Sequence, residues 1–190
     1  MKSDLNEIGF LDEFGVHIDC EAPYGWSHKK RLYCKINRSK RRKKRNVILI
    51  LHMKMVCTFI IDGTMNTDVF LKYAAWPLFG CRIGQDIEIF CEEIKKIGIR
   101  KIVMDNLSVH KTKSVKDLFE ENGIEILYIP PYSPELNPIE ESISKIKNGI
   151  RRYPSKTIDN IENIIQECVE AVTPENIEGY KKHFMSFVNS

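Results

Sequence analysis

The chain has 190 residues, 43% of them hydrophobic and 29% charged, with a formal net charge of +3 at pH 7. That length suits one ordinary domain with a sizeable core, and the balance reads as a globular, soluble protein. It argues against a membrane partner: no apolar run approaches the roughly 18–20 residues a spanning helix needs, and "MKSDLNEIGF" shows no apolar signal region.

In chain order, "IGFLDEFGVHI" (8–18) reads as a strand carrying the carboxylate pair Asp12 and Glu13. "RLYCKI" (31–36) and "NVILILHM" (46–53) read as two strands joined by a basic turn. "VCTFIIDGT" (56–64) adds a strand ending at an Asp-Gly turn signal. Two helices are predicted over 66–75 and 86–98, the second closed by Gly98. "RKIVMDN" (100–106) is a short buried-type strand with Asp105 at its end. A helix over 111–123 closes at Gly123, a strand follows at 124–131, and a helix runs over 137–152. The last forty residues are helical again.

Strands first, then β and α in alternation, predict an α/β layer fold: a mixed sheet flanked by helices, with an antiparallel edge and parallel strands. Sites in such sheets gather at the carboxyl ends of strands. The domain expectation is one unit over residues 1–152, with a C-terminal helical extension, 153–190, packed on it. Six cysteines (20, 34, 57, 81, 91 and 168) lack metal-ligand spacing and read as reduced core thiols.

Charge is unevenly placed. No acidic residue lies between Glu21 and Asp62, a stretch holding twelve of the 29 Lys and Arg. Seven of those fall in "RSKRRKKR": Arg38, Lys40, Arg41, Arg42, Lys43, Lys44 and Arg45. Such polarisation points to an anionic partner, first of all a nucleic-acid backbone. A solvated hairpin tip and a nuclear localisation signal have the same composition.

"IPPYSPELNPIEESISKIK" (129–147) packs four prolines ahead of a helix. Asn137, Pro138 and Glu140 fit a capping box, with Asn137 as N-cap, so Glu140 has a purely structural reading. A cap alone does not explain the proline loop. Such rigidity holds a helix-borne side chain to a fixed entry angle. Asp12, Asp105 and Glu140 would then form a hard-oxygen cluster suited to Mg²⁺ or Mn²⁺. Two such ions, about 3.5–4 Å apart, serve phosphodiester chemistry.

"VMDNLSVHK" (103–111), followed by "IEILYIPPYSPELNPIEESISKIK", resembles the catalytic core of mariner-like and bacterial insertion-sequence transposases. "FIIDGTMNTDVFLKY" (59–73) resembles a family segment upstream, and the likeness covers about residues 8–152. It implies a ribonuclease-H-like fold and a DDE triad. The DN-x-x-x-H segment maps onto Asp105 and His110, and the NPIE segment onto Glu140, with the family's 34-residue spacing between the two acids. Two frames compete for the first Asp. "LNEIGF" would put Asn6 there, whereas "FLDEFGVHI" supplies Asp12. Ten residues separate "YGW" (24–26) from Glu13, about the spacing the family pattern expects, which favours Asp12.

The resemblance implies metal-dependent cleavage at transposon ends and strand transfer into target DNA, with two Mg²⁺ or Mn²⁺ ions. His110 would touch DNA or orient a ligand, and Glu13 would point away from the triad. Implied partners are transposon-end and target DNA, a second copy of the chain, and a separately encoded N-terminal DNA-binding half, because the family's helix-turn-helix region is absent here. The implied location is the cytoplasm, on the nucleoid in a bacterium, or the nucleus in a eukaryote. A catalytically silent DNA-binding remnant is the alternative, and a nuclease for RNA–DNA hybrids is a third.

Overall fold

The structure is a computed structural model that describes residues 5–18, 24–26, 31–33, 44–53, 55–62, 66–69, 96–131, 133–153 and 156–188. Its strands are β1 (Ile8–His17), β2 (Tyr24–Trp26), β3 (Arg31–Tyr33), β4 (Lys44–His52), β5 (Met55–Asp62), β6 (Lys101–Met104) and β7 (Glu125–Tyr128). Its helices are α1 (Lys113–Glu121), α2 (Ile139–Arg152), α3 (Ile161–Glu170) and α4 (Pro174–Val188).

Five strands form one sheet in the order β5-β4-β1-β6-β7, and β2 pairs with β3 apart from it. β5, β4 and β1 are antiparallel neighbours, while β1, β6 and β7 run parallel. This is the mixed sheet expected from the order of elements. The expected pairing across the basic turn does not occur. A strand has two edges, and both edges of β4 are taken, one by β1 and one by β5. β3 pairs with β2 instead. Residues 34–43 lie outside the described residues, as do most of the two helices expected over 66–75 and 86–98.

Side-chain alternation splits the core into two layers. Leu11, Ile48, Ile50, Ile102 and Met104 face α1, which adds Val115, Leu118 and Phe119. Phe10, Phe14, Val47 and Leu49 face α2, α3 and α4. The apolar run of β4 serves both layers, which is why it does not alternate. α2 buries Ile139, Ile143, Ile146 and Ile150 as one stripe, each contributing roughly 1.5–3 kcal/mol of burial. α3 extends that layer with Ile161, Ile164 and Ile165. Gly123, with φ +66°, ends α1, and the N–H of Ile124 returns to the Phe119 carbonyl at 2.8 Å. Cys57 and Cys168 are buried free thiols. Among the described residues no helix is long and apolar enough to cross a membrane.

Candidate active site

Leu11 pairs with Met104 in the parallel register of β1 and β6. The next residue on each strand is an aspartate, so Asp12 and Asp105 stand level on neighbouring strands. Both follow the alternation that points to the α2 layer. α2 begins beside them and carries Glu140 in its first turn. The three acids line one cleft of about 380 Å³, walled by Pro130, Pro131 and Pro134. The proline loop is fastened to β6: the N–H of Ile129 donates to the Met104 carbonyl at 3.1 Å, and the Asn106 side-chain amide donates to the Ile129 carbonyl. Asn6, the competing first position, lies before β1, at its opposite end, where its carbonyl meets His52 Nε2 at 2.9 Å.

Asn137 is not the N-cap. Helix α2 starts at Ile139 with Pro138 in the cap position and no side-chain cap bond. The Asn137 amide instead donates to Asp12 Oδ2 at 3.2 Å, and the residue is buried. Asp12 Oδ1 accepts its neighbour's N–H, from Glu13, at 2.7 Å. Burial pushes the Asp12 carboxyl up to about 7. The charges of Glu140, Glu13 and Asp105 act in the same direction, against the Glu13 N–H. This is a carboxylate short of positive neighbours.

Asp105 is the reverse case. Its Oδ1 stands 2.8 Å from His110 Nδ1 and accepts the Leu107 N–H at 3.0 Å. Burial alone would raise its carboxyl, but the His110 bond, the Leu107 N–H and the charges of His110 and Lys111 outweigh that and hold it below its usual value. His110 is 0% exposed. Its Nε2 stands 2.7 Å from Glu13 Oε1. Burial would lower the imidazole, yet the bonds to Asp105 and Glu13 outweigh it and lift it to about 10. The expectation that His110 touches DNA is therefore corrected: its ring is enclosed and contacts a candidate ligand. Glu13 does point away from Asp12, as strand alternation requires. What sequence spacing missed is its partner, 97 residues downstream.

Of the seven basic candidates, Arg38, Lys40, Arg41, Arg42 and Lys43 lie outside the described residues. Lys44 begins β4. Arg45 is corrected. Its guanidinium is buried and bonded to Asp62 Oδ1 and Glu162 Oε1, each at 2.9 Å, joining β5 to α3. It is not open to a phosphate.

The three acids that line the cleft offer carboxylate oxygens, with Asp12 raised by burial and by the charges of Glu140, Glu13 and Asp105. That chemistry fits a hard divalent cation. Among the described residues no three His, Cys, Asp or Glu side chains stand close enough together to hold an ion as placed.

No curated protein matches the chain by sequence. Solved structures do. A pre-cleavage Mos1 transpososome superposes with a TM-score of 0.64 at 14% identity, covering 97% of this chain and 57% of that one. A mariner Mos1 paired end complex with Mg gives 0.66 at 14%, covering 99% and 56%. The catalytic domain of Mos1 mariner transposase gives 0.60 at 15%, covering 97% and 84%. At such identities the likeness shows a shared fold, the ribonuclease-H-like mixed sheet. The chain spans a little over half the length of the transpososome chain it matches. The family model described as DDE superfamily endonuclease matches residues 7–165, and the chain belongs to that family.

Proposed function

We propose that the chain is the catalytic domain of a DNA transposase, with Asp12, Asp105 and Glu140 as its catalytic and metal-holding residues. The observation that carries this is one proline-walled cleft lined by three acids, from β1, the end of β6 and the first turn of α2. Mos1 is seen with Mn, with Mg, with a left transposon end and in a strand transfer complex. Carrying those ligands over to this chain is part of the proposal.

Two Mg²⁺ or Mn²⁺ ions, when bound, would supply charge stabilisation for the attacking and leaving oxygens of a phosphodiester. Asp12 and Asp105 would hold them from level positions on rigid strands, and Glu140 would complete the set. Asn137 fixes the Asp12 carboxylate by one hydrogen bond donated from its side-chain amide, and the proline loop sets where α2 begins. The protein's share of the rate then comes from positioning. Hydrolysis at a transposon end would leave a 3′-OH, which then attacks target DNA. The segment 38–44 would give salt-sensitive phosphate contact with little sequence preference. A second copy of the chain and a separately encoded recognition half are the protein partners of this reading, and its location is wherever the DNA lies.

The test is Mn²⁺-dependent nicking of supercoiled DNA by the purified chain. Removing a residue that merely supports a ligand costs about 10–100-fold, so Asp12→Asn, Asp105→Asn and Glu140→Gln should each cost more than about 100-fold. Undiminished nicking by folded Asp105→Asn would overturn the assignment. Salt-dependent DNA binding with no nicking in any condition would favour the silent remnant.

A further inference from the structure

β1 carries two adjacent carboxylates that point to opposite layers. Asp12 reaches the cleft directly. Glu13 reaches it through one intermediary: Glu13 Oε1 stands 2.7 Å from His110 Nε2, and His110 Nδ1 stands 2.8 Å from Asp105 Oδ1. Ionised carboxylates only accept hydrogen bonds, so the ring donates from both nitrogens and is clamped at both ends. The turn that carries it is pinned as well, since Tyr128 donates its hydroxyl to the His110 carbonyl at 2.7 Å. Asp105 Oδ1 thus receives two donors, the ring and the Leu107 N–H.

This arrangement is not an obvious route to stability. Glu13 Oε2 is buried without a partner, a cost an apolar side chain would avoid. Buried charge pairs often do no better than well-packed apolar groups of the same volume. The feature that the pair does supply is a fixed orientation of the Asp105 carboxylate.

We propose that Glu13 and His110 are positioning residues of the candidate metal site, locking Asp105 so that one oxygen is held and the other is left for a divalent cation. The inference rests on the metal-site reading above. It makes β1 the organiser of both aspartates, one by its own side chain and the other by relay. Groups that orient a ligand in this way raise metal affinity without touching the ion.

The experiment is Mn²⁺ titration of the purified full chain, with free Mn²⁺ read by electron paramagnetic resonance and thermal melts run beside it. His110→Gln should weaken Mn²⁺ binding about 10–100-fold, and nicking should recover as Mn²⁺ is raised. Glu13→Gln keeps an oxygen able to accept from Nε2 but loses the charge, so its effect should be smaller and in the same direction. It serves if His110→Gln does not fold. His52→Gln removes another buried histidine, bonded to the Asn6 carbonyl at the far end of β1. It should shift the melt and leave Mn²⁺ affinity unchanged. Unaltered affinity in folded His110→Gln and Glu13→Gln, where Asp105→Asn loses it, would overturn the positioning role and leave the metal site standing. Absence of Mn²⁺ binding in the wild type would overturn both.

Discussion

Asp12 and Glu13 sit side by side on β1 and meet opposite treatments. On the Glu13 side, a buried imidazole bonds two carboxylates and carries a pKa lifted to about 10. On the Asp12 side, burial and three neighbouring acids push a carboxyl up to about 7, with one amide and one backbone N–H as its bonded donors. The α2 layer does hold a cation nearby. Arg45 faces it from β4, opposite Val16, but Asp62 and Glu162 already bind its guanidinium. Positive charge is thus supplied where Asp105 must be oriented and withheld where the cleft opens. A cleft built in this way favours a cation arriving from solution.

The largest effect that tests this contrast is the pH dependence of metal-free stability. Asp12 has a folded pKa of about 7 against an ordinary value of 3.8. Below the lower value both states are protonated and the group contributes nothing. Between the two values the unfolded chain ionises while the native carboxyl keeps its proton, so stability falls as pH rises. Above about 7 the full cost is present, on the order of 4 kcal/mol. Urea unfolding between pH 4 and 6.5 should show this fall in the wild type and lose it in Asp12→Asn. His110 gives a slope of the same sign in a higher window: with a raised folded pKa, its stabilisation is complete below about 6.5 and disappears as pH rises through about 10. Identical acid-side slopes in the wild type and Asp12→Asn would break the comparison. Added Mn²⁺ should offset the cost most above about pH 7, where the cost is full and protons compete least.

Much of this contrast was legible in the residues. The order of elements gave the mixed sheet, and the period-2 alternation put Asp12 and Glu13 on opposite faces. The proline loop and the isoleucine stripe marked where α2 begins and which side it buries. The partners were not legible, because each lies far away in sequence. Glu13 finds His110 only because β6 docks beside β1, and alternation says nothing of strand order. Asn137 satisfies the local rules for a cap, yet its side-chain NH2 reaches back to the buried Asp12 carboxylate, and its Oδ1, the capping atom, accepts no N–H among the described residues. Arg45 ends a run of cations whose composition suggests solvent, and its partner Glu162 is 117 residues away. The β3–β4 pairing failed for a similar reason: sequence proximity cannot tell that both edges of β4 are already filled.

A smaller perturbation tests how closely two helices of the α2 layer approach each other. Gly149 on α2 faces α3, where an added Cβ would stand 2.9 Å from Cys168 Sγ and 3.4 Å from its Cβ. Gly149→Ala gains about 1 kcal/mol of helix propensity but must displace a buried thiol, at about 1–3 kcal/mol. A net loss of up to about 2 kcal/mol in chemical unfolding is expected, and Cys168→Ala in the same chain should recover it. Gly123, where the added atom would meet nothing within 4 Å, has φ +66°, so Ala there would lose stability through backbone strain. Cys168→Ala should give no rescue at that position. Rescue at both positions, or at neither, would contradict the packing account of Gly149.

The smallest expected effect separates Arg45 from the basic segment next to it. The guanidinium is buried, but its partners are not: Asp62 is 79% exposed and Glu162 55% at the side chain. Removing the arginine therefore leaves two carboxylates that water can solvate, not an isolated buried charge. Arg45→Ala should cost about 1 kcal/mol, from the broken ion pairs and the missing packing of its aliphatic stem. If its charge serves the β5–α3 joint alone, DNA affinity and its salt dependence should not change. Replacing Lys40, Arg41, Arg42 and Lys43 by Ser should do the opposite, leaving stability intact and flattening the salt dependence by up to about 0.9 for each phosphate no longer neutralised. A fall in DNA binding by folded Arg45→Ala as large as that of the fourfold variant would return Arg45 to the nucleic-acid surface. It would also mean that the α2 layer keeps a cation in reserve for DNA, a supply of positive charge on that side of β1 that the contrast between Asp12 and Glu13 leaves out.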